Sequence, residues 1–178
     1  MKNERGISME NIIKYAELFD LLCENFDGAE LGKKASQKMF YFFERKGINL
    51  NLRYGIHYYG PYSAKLDNIL HILESEEYIS IDTTGTTHVI SKGTTDISSN
   101  GLTQEEQNNA QFVIKNFSHK SPLELEALAT MDFVANYMNC NSKKEIVSTF
   151  KEIKGEKFDS KIIEKTYDIL TNLDLISA

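Results

Sequence analysis

The sequence holds only two cysteines, Cys23 and Cys140, far apart in the chain. That excludes a zinc-binding spacing and a disulfide framework. Long apolar runs are missing too. Ile12-Ile13 and Leu21-Leu22-Cys23 are interrupted by Lys14, Glu17, Asp20 and Glu24, and the start from Met1 to Arg5 is charged. Neither a secretory signal nor a membrane span is expected, and the reducing cytoplasm is the expected compartment. The four histidines, His57, His71, His88 and His119, show no H-E-x-x-H spacing. Neither a Gly-rich phosphate loop nor a G-x-S-x-G turn occurs. His57 beside its tyrosines lacks an evident nucleophile. No catalytic set, metal site or cofactor is read, so a protein without enzymatic activity is expected.

What is present is ordinary for a globular chain of 178 residues: 41% hydrophobic and 26% charged. That length suits one domain or two small halves sharing a core. The formal net charge is −6, which argues against indiscriminate binding to nucleic acid. The charge is unevenly spread. From Leu31 to Lys65, seven cations (Lys33, Lys34, Lys38, Arg45, Lys46, Arg53 and Lys65) meet one acid, Glu44. A basic segment on an acidic body marks a localised anion-facing surface.

Helical spacing of Ile12, Tyr15 or Ala16, Phe19, Leu22 and Phe26 predicts a helix from Glu10 to about Asn25, stopped by Asp27-Gly28. Gly32 to Lys46 reads as a second helix. Its centre, Met39-Phe40-Tyr41-Phe42-Phe43, is apolar nearly all round and belongs in the interior. Ile48 to Tyr59 reads as extended, with a brief strand at Ile56-His57-Tyr58. Ser63 is expected to cap a third helix whose stripe is Leu66, Ile69, Leu70 and Leu73, with Lys65, Asn68, His71 and Ile72 off it. Tyr78 to Asp82 and Thr87 to Ile90 alternate like a hairpin around Thr83-Thr84-Gly85-Thr86. Ser91 to Gly101 reads as a polar linker. Three capping boxes then start helices: Thr103 with Glu106, Ser121 with Glu124, and Ser142 with Glu145. Phe158 and Ile163 would staple a last helix capped by Asp159. The expected fold is mainly α: a winged helix-turn-helix with a small β-hairpin wing over residues 1–90, a linker over 91–102, and a C-terminal helical half over 103–178.

One stretch stands out, Gly55-Ile56-His57-Tyr58-Tyr59-Gly60-Pro61-Tyr62-Ser63. Two readings of it stand open. Its rings and His57 could meet bases, a phosphate or a partner. Alternatively, alternating rings pack inward and Gly60-Pro61 simply makes a bend. The basic start of the second helix (Lys33, Lys34 and Lys38) could meet phosphates, while Ser63, Lys65, Asn68 and His71 present a recognition helix to the major groove. Glu74, Glu76 and Glu77 count against deep insertion. The expected binding residues are therefore Lys33, Lys34, Lys38, His57, Tyr59, Tyr62, Ser63, Lys65, Asn68 and His71. The leading expectation is a DNA-binding transcription regulator. The alternative is a protein-interaction module, an antitoxin or adaptor gripping a partner protein. Whether the chain pairs as a homodimer is left open.

Lys34-Ala35-Ser36-Gln37-Lys38-Met39-Phe40-Tyr41-Phe42, His57-Tyr58-Tyr59-Gly60-Pro61-Tyr62-Ser63, and Leu66 with Leu73 resemble the Panacea (SocA-like) antitoxin domain. They resemble still more the related YwgA-type bacterial proteins of unknown function. The family's hairpin ends in a T-KG pattern, here Ile90-Ser91-Lys92-Gly93, and the second half fits at Ser121-Pro122-Leu123-Glu124-Leu125-Glu126 and from Phe150-Lys151 to Phe158. The likeness spans roughly residues 10 to 175. The family usually carries Lys-Leu where this chain has Ala35-Ser36. The resemblance implies a mostly helical bacterial protein, and some Panacea relatives pair with toxins. It implies no catalytic set.

Overall fold

A computed structural model describes residues 9–26, 30–97 and 101–177. It is mainly helical, with two small antiparallel hairpins. In chain order the elements are α1 (Met9–Asn25), α2 (Lys33–Arg45), β1 (Gly55–His57), β2 (Gly60–Tyr62), α3 (Ala64–Ser75), β3 (Ile79–Asp82), β4 (Val89–Lys92), α4 (Gln104–Phe117), α5 (Pro122–Tyr137), α6 (Lys143–Lys154) and α7 (Ser160–Asn172), with a short 3-10 turn, Gly155–Lys157, after α6. The expected stop at Asp27-Gly28 lies outside the described residues.

α2 is the hub because its centre is apolar on every side. Met39, Phe40, Tyr41, Phe42 and Phe43 are all buried. Each such side chain contributes about 1.5–3 kcal/mol of apolar burial. Phe42 stacks on Phe117 of α4 with ring centroids 4.0 Å apart, and Phe40 lies 4.5 Å from Phe19 of α1. α2 also packs on α5 and β2. One hydrophobic cluster therefore runs from Ile12 to Ile176, and the two expected halves share a core.

Local capping sets most helix starts. The Thr103–Glu106 and Ser121–Glu124 boxes are both complete. The third is only half made. Ser142 accepts from the Glu145 amide, but the Glu145 carboxylate takes the Asn141 amide instead of the Ser142 amide. Asp159 accepts from Ile162 at the start of α7, with Phe158 and Ile163 both buried.

Three expectations need correction. Ile72 is buried with the α3 stripe, because α3 packs against both α1 and β3. The returning strand is Val89–Lys92, two residues later than Thr87 to Ile90. The segment before α2 draws it there: the Ile90 amide donates to the Leu31 carbonyl at 2.8 Å, and Gly32 bridges Val89. Ser91 and Lys92 therefore belong to the strand, not to a linker. Finally, the Gly55–Ser63 stretch is no simple bend. It is a β-hairpin pairing Gly55 with Tyr62, Ile56 with Pro61 and His57 with Gly60.

Candidate functional site

The β1–β2 hairpin is held rigidly from beneath. Gly60 takes a φ of +88°, a left-handed conformation that favours glycine. A side chain there would also meet Thr130 of α5, with a Cβ only 2.7 Å from Oγ1. At the hairpin's end, Gln37 of α2 clasps Ser63 twice: its Nε2 donates to the Ser63 carbonyl at 3.0 Å, and the Ser63 amide donates to its Oε1 at 2.9 Å. The Ser63 hydroxyl donates to the Leu52 carbonyl and accepts from the Leu66 amide, which starts α3.

Lysine side chains reach the hairpin backbone from α2 and from the end of α6. Lys38 of α2 donates to the Pro61 carbonyl at 2.7 Å. Lys154, at the end of α6, donates to the Tyr58 carbonyl at 2.8 Å and to Glu126 at 2.9 Å. Lys157 donates to both Glu126 carboxylate oxygens, at 2.7 and 2.8 Å. Burial pushes the Lys38 ammonium down to about 8, with Lys154 and Lys34 adding to the fall and Glu126 opposing it. Burial lowers Lys154 in the same way against the pull of Glu126. For Glu126 burial works to raise the carboxyl, but the hydrogen bonds from Lys157 and Lys154 prevail and hold it low.

With its base fixed this way, the hairpin turns its tip outward. Tyr58 is 77% and Tyr59 45% exposed, the two rings meeting edge to face at 4.9 Å. Lys34 sits 3.8 Å from the centre of the Tyr59 ring, and Lys157 lies 5.5 and 5.2 Å from the Tyr58 and Tyr59 rings. Beside the tip is a cleft of about 340 Å³ walled by Lys33, Lys34, Lys38, His57, Tyr59 and Tyr62, with Gln37, Tyr58, Gly60 and Asp67 completing it. His57 and Tyr62 approach to 5.0 Å. Lys33 lies 3.5 Å from Asp67.

The structure thus gathers six of the ten expected residues, Lys33, Lys34, Lys38, His57, Tyr59 and Tyr62, around one cleft. The other four lie elsewhere. Ser63 is buried as a helix cap, so it offers no hydroxyl to a ligand. Lys65 turns to the Leu50 and Asn51 carbonyls. Asn68 and His71 are exposed along α3 and do not line the cleft. Lys38 lines the cleft but is only 3% exposed, its ammonium already spent on Pro61. That corrects its placement on an open basic face. Sequence reasoning missed Gln37, Glu126, Lys154 and Lys157. A signal existed for Lys154: it continues the buried Ile146, Phe150 spacing of α6. Glu126 sits likewise inside the apolar run from Leu125 to Ala129.

A second polar cluster joins α2, α5 and the C-terminal segment. Tyr41 donates to Asp132 at 2.5 Å, and Arg45 donates to the same carboxylate at 2.6 Å and to the Leu175 carbonyl at 2.9 Å. Burial raises the Asp132 carboxyl while Arg45 opposes the rise. Its groups are mutually satisfied, which suits a tie between helices. Among the described residues no group of three or more His, Cys, Asp or Glu is placed to hold a metal, and no helix is long and apolar enough to cross a membrane. No family model matches the chain, and no curated protein is significantly similar to it.

Proposed function

We propose that the chain is a non-enzymatic interaction module that grips a partner protein with its tyrosine hairpin. One observation carries this reading: two adjacent tyrosines stand exposed on a tip whose backbone is fixed by three helices. Tyrosine supplies large contact area at a small cost in side-chain freedom, and interface hot spots are rich in it. A tip already held in place loses little further entropy on binding. The resemblance to the Panacea antitoxins favours a toxin-like partner. Free Cys23 and Cys140 fit a cytoplasmic protein. The test is affinity purification from the native host. The unaltered protein should retain a stoichiometric partner, and a Tyr58→Ala/Tyr59→Ala variant of unchanged circular dichroism should lose it. Retention by the variant, or no partner under any growth condition, refutes the reading.

A DNA-binding winged helix is the second reading. It draws support from α3, which leaves Asn68 and His71 exposed and is followed by the β3–β4 hairpin with its exposed loop. Against it, Lys38 and Lys65 are engaged with backbone carbonyls, and Lys33 faces Asp67. A salt-sensitive mobility shift on the gene's own upstream DNA, abolished by Lys33→Glu with Lys34→Glu, would favour this reading.

A further inference from the structure

Building on the interaction reading, we propose that the cleft beside the tyrosine tip takes a short acidic segment of the partner. One Asp or Glu carboxylate sits between Lys33 and Lys34, and a neighbouring apolar side chain lies against His57 and Tyr62. Charge is the first argument. Lys33, Lys34 and Lys38 line the cleft with only Asp67 against them. Behind the hairpin, Lys154 and Lys157 share the single carboxylate of Glu126. At the cleft itself three ammonium groups meet one carboxylate, an excess of two positive charges, and the cluster behind the hairpin adds one more positive charge without lining it. Among the described residues, Lys34 has no carboxylate within ion-pair distance. Its ammonium lies over the exposed Tyr59 ring, where an incoming anion can meet it.

The helix start points the same way. α2 begins at Gly32 with no side-chain cap and no acid in its first turn, yet carries two lysines there. Cations at a helix N-terminus are disfavoured by the dipole, and an arriving carboxylate relieves that repulsion. Asp67 reaches only Lys33, at 3.5 Å and partly in solvent, a contact too weak to hold off a competing carboxylate.

Shape selects a peptide over a long polyanion. A duplex needs cations spaced along a track, but here the excess charge converges on one cleft of about 340 Å³ walled by rings. Beyond the cleft the surface turns acidic: Glu74, Glu76 and Glu77 are exposed at the end of α3. A short segment fits where a longer anion is repelled.

The test uses the full chain and an array of seven-residue peptides. Each peptide has Phe or Leu at its centre and is flanked by Asp/Glu, by Asn/Gln or by Lys. The acidic members should bind about tenfold more tightly than their amide counterparts. Lys34→Glu and Lys33→Glu should each remove that preference, and Lys115→Glu, on the exposed face of α4, should not. Equal binding of acidic and amide peptides, or acidic selectivity unaltered by Lys34→Glu, overturns the inference. A preference for a DNA oligonucleotide of equal charge over the acidic peptides also overturns it. The two proposals fail separately. If the native partner is still captured through Tyr58 and Tyr59 while the array shows no acidic preference, the interaction reading stands and the charge assignment falls.

Discussion

Replacing Lys38 with methionine should leave stability near neutral pH little changed, yet weaken the protein near pH 10. The ammonium is buried and falls from its ordinary 10.5 to about 8. Unfolded, the side chain keeps its proton up to about 10.5; folded, it gives the proton up near 8. Between those values the unfolded chain binds more protons, so this group makes the native protein more stable as pH rises across that window. At about 1.4 kcal/mol per pH unit, keeping Lys38 charged below pH 8 costs the fold about 3 kcal/mol. Methionine removes that cost and preserves most of the stem's packing. It also leaves the Pro61 carbonyl without its donor, a loss of about 1–3 kcal/mol. Near neutral pH the two effects oppose each other, and the variant should lie within about 2 kcal/mol of the parent. Near the top of the window the parent's amine is largely neutral in the folded protein and still donates, so the variant should fall up to about 2 kcal/mol short. Urea unfolding of both proteins at stepped pH from neutral to about 10 measures the difference. The phenols of Tyr15, Tyr41 and Tyr54, raised chiefly by burial, titrate alike in both and cancel. Parallel curves would refute the buried, depressed ammonium.

Gly60→Ala should lower stability by about 2 kcal/mol or more, since alanine must adopt a φ of +88° with its Cβ 2.7 Å from Thr130 Oγ1. Adding Thr130→Ala should recover the part due to the clash, and thermal melts of the single and double variants separate it from the backbone cost. Asp132→Ala strands the guanidinium of Arg45 and the Tyr41 hydroxyl, and should cost about 3–5 kcal/mol. Asp132→Asn, whose amide oxygen still accepts from Tyr41, should cost less in the same urea titration.

The helices were largely legible because their signals are local. Thr103, Ser121, Ser142 and Asp159 each cap the helix that their spacing to the next amides predicts. The apolar centre of α2 announced a buried hub, and Phe42 against Phe117 shows why it needs partners on several sides. The first hairpin was hidden. Short hairpins are usually signalled by Asn-Gly or a similar pair with positive φ, whereas here two tyrosines form the loop and the left-handed residue follows them at Gly60. What secures it is non-local: Gln37, Lys38 and Lys154 supply the hydrogen bonds, and Thr130 packs against it. No window of sequence around residue 60 contains those groups.

The basic stretch shows why a charge count cannot stand for a binding surface. Of its seven cations, Lys38 serves Pro61, Lys65 serves Leu50 and Asn51, and Arg45 serves Asp132 and Leu175. Lys46 lies over the Phe112 ring at 4.2 Å, and Lys33 shares Asp67. Lys34 and Arg53 remain without a carboxylate partner among the described residues, and only Lys34 lines the cleft. Reversing Lys33, Lys34 and Lys38 together would therefore confound two effects. Lys38→Glu would place a carboxylate against the Pro61 carbonyl and undo the hairpin, so lost binding would say nothing about surface charge. Lys34→Glu alone changes charge where solvent and a partner can reach it while leaving the backbone clasp intact. The same division explains the lysines' uneven roles. Ammonium groups of Lys38 and Lys154 beneath the hairpin bind the backbone that carries the tyrosines, whereas that of Lys34, over the exposed Tyr59 ring, leaves the hairpin backbone alone.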